Sequence, residues 1–324
     1  AKIGLKRSEQ WFRGLVQHSS DVIAVLDEAG VFTYASPAAE DLFGFRPEHL
    51  RGRSFSELLP QDDLDGLDTV RRATRRSYPH DARNLELTLE RPDKTRRTAE
   101  VTITDLTNDP SVNGLVLNIR DITDRKNVLA LPAKVTKALG PVDALVNVAG
   151  IIQPCVRIND LEFDAIDHVI NVNFHGPLNL IKAFLPGLLE RNEAHLVNVS
   201  SMGSYAPVPG QTLYGATKAA LNLLSEGLRS ELTGTNVHLT VIYPGAIGTN
   251  IAANSGLSLE GMDTESTRTV VDPKDAGEQI VVAIEKNKKR ILIGQDASFM
   301  WLLNRIWPDL AARTIYQGMK DLLP

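Results

Sequence analysis

Tyr214 and Lys218 stand four residues apart in the segment Tyr-Gly-Ala-Thr-Lys, and they carry the strongest chemical signal in the sequence. On a helix, positions i and i+4 share a face. A phenol held beside an ammonium has its phenolate stabilised, so its pKa falls towards working pH and Tyr214 becomes a candidate general acid and base. Taken alone, the pair fits an exposed helix face equally well, and its surroundings decide the matter. Val197–Met202 (VNVSSM) is an apolar strand that runs out into small polar residues, with Ser201 standing 13 residues before Tyr214. Upstream, Asn147-Val-Ala149-Gly150 ends another apolar strand, and Asn173 lies within a helical pattern. Downstream, Pro244 and Gly245 follow a third such strand, with Ile247 and Thr249 just beyond.

These residues need a scaffold, and the pattern predicts one. Asp143–Val148, His195–Val199, Val237–Ile242 and Arg290–Ile293 read as apolar strands, the first of them buried. Glu162–Asn173, Pro177–Glu190, Tyr214–Leu232 and Pro273–Lys286 read as the helices between them. Such alternation predicts a parallel α/β sheet. The earlier part of the chain has another style. Glu9–His18 reads as a short amphipathic helix, and Asp21–Leu26 and Val31–Ala35 as a hairpin around Asp27-Glu28-Ala29-Gly30. Ser36-Pro37 is expected to cap a short helix. Asn84–Glu90 and Thr98–Asp105 alternate strictly, as half-buried antiparallel strands do, and Gly114–Ile119 closes a set of about five strands. The predicted fold is therefore an α+β antiparallel-sheet domain over residues 1–125, then an α/β parallel-sheet domain over 121–324, joined at 121–125.

Composition narrows the function classes. The chain has 324 residues, 43% hydrophobic and 23% charged, with a net charge of −5, so no global basic field exists to hold nucleic acid. The run Arg71-Arg72…Arg75-Arg76 follows Asp62, Asp63, Asp65 and Asp68 and reads as a compensated, solvated helix. The single cysteine, Cys155, rules out an intrachain disulfide and fits a reducing compartment. No metal site is predicted. The first ten residues lack the apolar core of a signal peptide, and no run approaches the ~18 apolar residues of a membrane span, so a cytoplasmic protein is expected. Ser298–Leu310 is apolar and amphipathic; packing on the body or on a partner subunit is the favoured reading over a membrane-surface or lid role.

Two family resemblances follow. Ser19–Phe45, Leu50–Leu59 and the closing GLVLNIRDITDRK of Gly114–Lys126 together resemble a PAS sensor domain, with Ser36 where that family usually has Asn. The resemblance implies a small antiparallel sheet that can hold a ligand, of unknown kind here, and often dimerises. Light-sensing flavin chemistry needs a cysteine inside the domain, and none is there. His49 and His80 are available to a haem but read as solvated loop histidines. From Asp121 to about Ile293 the ordered segments resemble the short-chain dehydrogenase/reductase family. That implies NAD or NADP as cofactor, hydride exchange with a small secondary alcohol or ketone, and a homo-oligomer built through helices 177–190 and 214–232. It implies that Tyr214 exchanges the proton with the substrate oxygen and Ser201 hydrogen-bonds the same oxygen. Lys218 would tune Tyr214 and hold the nicotinamide ribose, and Asn173 would position a water that links Lys218 to solvent. Asn147, Ala149 and Gly150 would line the adenosine side and Asp121 would touch adenine. Pro244, Gly245, Ile247 and Thr249 would border the nicotinamide. Val148 replaces the second Asn of the usual Asn-Asn-Ala-Gly. Ser255–Thr269, the variable lid region, carries no chemistry that names a substrate.

One expected part is missing. The family opens with a strand and a Thr-Gly-x-x-x-Gly-x-Gly loop that brings backbone N–H groups and a helix N-terminus to the cofactor pyrophosphate. Among the 23 glycines no two are separated by a single residue. Charge-assisted hydrogen bonds contribute ~1.5–3 kcal/mol each, so loss of this loop predicts cofactor binding weakened by several kcal/mol. The residue that selects NAD or NADP is lost with it. Asp121–Arg125 reads both as a PAS exit and as the dehydrogenase segment after its third strand, and Val128–Gly140 as the next helix, with Pro132 an unfavourable guest. The second domain is thus an incomplete Rossmann-type sheet. In the family's strand order 3-2-1-4-5-6-7, Ala144–Val148 is the fourth strand, left as an apolar edge that a PAS element or a second copy of the chain would cover. Gly114–Ile119 is a candidate for the third-strand place. Three readings stand: an oxidoreductase with a PAS sensor, a non-catalytic sensor whose dehydrogenase half is a dimerisation scaffold, or an artificial or aberrant fusion.

Overall fold

A computed structural model describes residues 21–60, 83–206, 208–255 and 270–319. The expected helix Glu9–His18, the Arg71–Arg76 stretch with its aspartates, His80 and nearly all of the lid region lie outside the described residues. The chain forms two compact units, residues 1–127 and 128–324.

The first unit is a five-stranded antiparallel sheet of β1 (Val22–Leu26), β2 (Phe32–Ala35), β3 (Arg83–Glu90), β4 (Arg96–Leu106) and β5 (Gly114–Asp121) in the order β2-β1-β5-β4-β3. Period-two alternation sends Val22, Ala24, Leu26, Leu87, Leu89, Val101, Ile103, Leu117 and Ile119 to one face. There they pack against Phe43 of α1 (Ala39–Phe43), Leu50 of α2 (Pro47–Leu50) and Phe55 of a 3₁₀ turn. Gly44 ends α1 with φ 73°, and a Cβ there would also press on Pro92 Cδ at 3.0 Å.

Two expectations fail in this unit. Ser36 does not cap the short helix, whose N-cap is Ala38. Its hydroxyl instead accepts from Ile23 N at 3.0 Å, and its own N–H donates to Ile23 O at 2.8 Å, so it extends the β1–β2 pairing. Nor does Gly114–Ile119 take a place in the parallel sheet. β5 is paired along its length with β1 on one side and β4 on the other, which leaves neither edge for another strand.

Helix α3 (Thr123–Leu139) begins two residues after β5 and carries the chain from one unit into the other, with Pro132 accommodated inside it. The second unit is a parallel sheet of β6 (Ala144–Asn147), β7 (Ala194–Val199), β8 (Val237–Pro244) and β9 (Arg290–Ile293) in that order. Helices α4 (Phe163–Ile170), α5 (Gly176–Leu189), α6 (Thr212–Glu231), α7 (Ile251–Asn254) and α8 (Pro273–Glu285) are interspersed. One face buries Leu196, Leu239 and Val241 against Ile181, Phe184 and Leu188 of α5 and Leu228 of α6. The other buries Val197, Ile242 and Ile293 against Ala276 of α8. This is the two-sided burial that makes parallel strands read as continuous apolar runs.

Asp143–Val148, which its own apolar run makes read as buried, is instead the edge that the absent first strand was expected to leave. β6 is the sheet edge, only Asn147 in it is buried, and Val146 and Val148 are 40% and 60% exposed. The physical reason is the missing neighbour: among the described residues of this unit no strand pairs with its outer side. The anchor of β6 is polar. Asn147 Nδ2 donates to Asn198 Oδ1 at 2.8 Å, and Asn198 Nδ2 donates to Ser225 Oγ at 2.9 Å, a buried ladder from β6 through β7 to α6.

The C-terminal stretch forms α9 (Gln295–Ile306) and α10 (Pro308–Met319). Ala297, Met300, Ala311 and Ile315 pack around Ala206, while Phe299, Leu302, Trp307 and Leu310 are at least half exposed. No described helix is long and apolar enough to cross a membrane. Removing the Ser36 hydroxyl leaves Ile23 N–H without its acceptor. Ser36→Ala is therefore expected to destabilise the first unit by about 1–2 kcal/mol. Urea unfolding checks this, and an unchanged midpoint would deny the hydroxyl its bridging role.

Candidate active site

A cleft of about 670 Å³ opens at the carboxyl ends of the parallel strands. Open α/β sheets bind ligands at this end, because loops there leave the strands in diverging directions. Gly150, Ser201, Tyr214, Lys218, Pro244, Gly245, Ile247 and Thr249, all singled out from the sequence, line this one cleft. Val146, Val148, Ile152, Ile251 and Ile280 make its wall largely apolar.

Tyr214 sits in the first turn of α6, and Lys218 follows one turn later on the same face. Ser201 Oγ and the Tyr214 ring converge on Gly203, where a Cβ would lie 3.5 and 3.4 Å from them, and the Ser201 hydroxyl accepts from Gly203 N at 3.0 Å, which fixes its direction. The expected depression of the phenol pKa is not found. Burial pushes Tyr214 above the ordinary tyrosine value, and the Ser201 hydrogen bond pulls it back only in part. Lys218 is not among the groups that pull it back; its Nζ donates to Val199 O at 3.0 Å. Burial in turn depresses Lys218 to about 8. The pair is thus a protonated phenol beside an ammonium that is easily neutralised.

Gly150 makes room for that ammonium. A Cβ at this position would lie 2.9 Å from Lys218 Nζ and 3.5 Å from Asn173 Oδ1. Asn173 is fully buried in a π-helical turn, Asn171–His175, inserted between α4 and α5. Such turns carry one extra residue and often mark functional positions. Its Nδ2 donates to Ile151 O at 2.9 Å and Thr217 Oγ1 at 3.1 Å, and its Oδ1 accepts from Ile151 N at 2.9 Å. Asn173 therefore ties the loop after β6 to α6. Gly245 is required for a different reason: a Cβ there would collide with the carboxylate of Asp296, whose Oδ2 accepts from Ala246 N at 2.7 Å.

Asn173 supports the cleft without lining it, and three further expected residues are not part of its wall either. Asn147 is turned into the buried ladder, with Oδ1 left without a partner among the described residues. Ala149 is exposed. Asp121 ends β5 in the first unit, where its carboxylate accepts from Thr123 N at 2.8 Å and lies 3.6 Å from Arg97. The apolar wall residues Ile152, Ile251 and Ile280, and Asp296, were not foreseen. Isolated isoleucines carry no motif, and Asp296 lies 50 residues from the amide it holds.

A short-chain dehydrogenase family model matches residues 92–259, more than half of the chain, and a PAS fold model matches residues 11–122. The two matches overlap across β4 and β5, which the structure pairs into the antiparallel sheet. The chain belongs to the short-chain dehydrogenase family and carries a PAS domain ahead of its dehydrogenase region. A Mycobacterium tuberculosis protein named "Putative oxidoreductase SadH" is 32% identical over 213 residues, which cover 63% of this chain and 76% of that protein. Another from the same organism, named "Probable oxidoreductase EphD", is 34% identical over 209 residues, or 60% of this chain and 35% of its own length. A short chain dehydrogenase from Burkholderia cenocepacia, solved in complex with NADP, shares the fold. Its TM-score is 0.51 at 22% identity, covering 60% of this chain and 76% of that one.

The buried ammonium has a measurable cost. The folded pKa of Lys218 is lowered to about 8, so the unfolded chain binds more protons between there and the ordinary value of 10.5. The penalty is complete below pH 8 and fades as pH rises towards 10.5. Lys218→Met is therefore expected to stabilise the protein by roughly 2 kcal/mol at pH 7, after allowing for the lost bond to Val199. The gain should shrink by pH 10. Urea unfolding at both pH values checks this; a destabilised variant at pH 7 would show that the ammonium is stabilised where it lies.

Proposed function

We propose that the second unit transfers hydride between a nicotinamide dinucleotide, NAD or NADP, and a small secondary alcohol or ketone. The observation that carries the reading is the convergence of Ser201, Tyr214 and Lys218 on one apolar cleft at the carboxyl end of the sheet. Tyr214, held protonated by burial, is arranged to give its proton to a substrate oxygen, so carbonyl reduction is the favoured direction near neutral pH. Ser201 orients that oxygen from the other side. The apolar wall excludes water from the reacting atoms.

The residues present fit the nicotinamide end of such a cofactor. The space a Cβ on Gly150 would fill lies against Lys218 Nζ, which is positioned to hold ribose hydroxyls. When bound, the nicotinamide supplies or accepts the hydride. The pyrophosphate end has no glycine loop in this chain, since no G-x-G occurs in it, and the affinity should be correspondingly low. A homo-oligomer through α5 and α6 is part of the proposal, supported by Leu189 and Leu223, which are 43% and 74% exposed on those helices. The PAS unit is read as a sensor of unspecified ligand.

The missing loop and the bare β6 edge favour a second reading, a non-catalytic dimerisation scaffold. Titration with NADH and NADPH, followed by nicotinamide fluorescence, separates the two. The catalytic reading predicts saturable binding below millimolar, weakened at least about tenfold by Lys218→Ala and little altered by Tyr214→Phe. Binding absent up to millimolar for both cofactors would transfer the case to the scaffold.

A further inference from the structure

We propose that Gln153 is a positioning residue for Tyr214, acting as the N-terminal cap of the helix that carries it; this rests on the reading of Tyr214 as the proton donor. The first amides of a helix have no partner within the helix and must find one outside it. In α6 the usual solution is absent, for Gln211 at the N-cap position makes no side-chain cap. Gln153 supplies it from 60 residues away. Its Oε1 accepts from Leu213 N at 2.7 Å and from Tyr214 N at 3.0 Å, and the residue is fully buried. The backbone of Tyr214 is therefore held by an acceptor that belongs to the loop after β6.

That loop is itself clamped to α6 twice. Asn173 grips Ile151 on both its N–H and its C=O and reaches Thr217, while Gln211 Nε2 donates to Gln153 O at 2.7 Å. Gly150, which clears space for the Lys218 ammonium, begins the same segment. One stretch, Gly150–Gln153, thus sets both partners of the catalytic pair: the ammonium through the missing side chain of Gly150, the phenol through the amide oxygen of Gln153. Gln153 Nε2 has no partner among the described residues, so the side chain is held by its oxygen alone. A glutamate would keep that oxygen and lose no bond. A methionine of similar length would lose both.

Amide hydrogen exchange on the full wild-type chain is the first test and needs no variant. Leu213 and Tyr214 N–H should exchange at least about tenfold more slowly than the N–H of Thr212, which no side chain among the described residues caps. Equal exchange at the three overturns the proposal. Gln153→Met should then release both amides and lower kcat by about 10- to 100-fold, the range expected for sub-ångström to ångström misplacement, with KM for the cofactor unchanged. Gln153→Glu should restore slow exchange and most of kcat. Slow exchange persisting in Gln153→Met, or a parallel rise in cofactor KM with no change in kcat, would also overturn it. If the wild-type chain shows slow exchange at both amides but no nicotinamide-linked turnover, the cap stands and the catalytic reading falls.

Discussion

The second unit is arranged around one buried cation. Lys218 is 3% exposed, and its ammonium ends at a backbone carbonyl of β7 rather than at a carboxylate. No fold places a lysine this way for stability, since desolvation of an ammonium costs several kcal/mol unless it is paired. The surrounding features follow from that commitment. Gly150 must lack a side chain so that Nζ has room, and the helix must begin where Tyr214 and Lys218 face the carboxyl ends of the strands. The loop after β6 must be held close, and Asn173 does so through three hydrogen bonds.

The rest of the sheet bears a complementary strain. A doubly wound fold buries its central strands on both faces and both edges, yet β6 here is an edge strand, and Val146 and, just beyond it, Val148 stay 40% and 60% exposed along the cleft. The strand is retained by its pairing with β7, by Leu145 packed against the core, and by a polar ladder, Asn147 to Asn198 to Ser225. The part of the fold that would ordinarily cover this edge is also the part that would carry the cofactor's phosphates, so structural completeness and cofactor affinity are coupled through one segment. The PAS unit does not share the problem. Its five strands close over a core rich in phenylalanine, and its central strand β5 is satisfied on both sides.

How much of this was legible depended on how local the cause was. The strands of both units and the α/β alternation follow from period within short windows, and eight of the cleft residues follow from a resemblance to one family that local motifs carry. The exposure of β6 followed from what the sequence lacks, but the strand's own apolar run argued for burial, because composition cannot register a missing neighbour. The tyrosine pKa was misjudged for a related reason. Spacing put Lys218 beside Tyr214, while burial of the phenol, which no spacing rule includes, decided the direction of the shift. Ser36 looked like a cap because Ser-Pro often is one; a strand 13 residues earlier had first use of its hydroxyl. Gln153 and Asp296 act across 50 or more residues of chain and left no local trace.

The central claim is that this incomplete sheet still moves hydride, with Tyr214 as the proton donor. Single-turnover reactions with NADH and NADPH deuterated at the nicotinamide C4 position, offered a panel of small ketones and read by mass spectrometry, test it most directly. The account predicts deuterium on the carbinol carbon of at least one alcohol product with the wild-type chain, and its loss in Tyr214→Phe. A folded wild-type chain that transfers no label from either cofactor, or a Tyr214→Phe variant that transfers it as well as the wild type, would contradict the account.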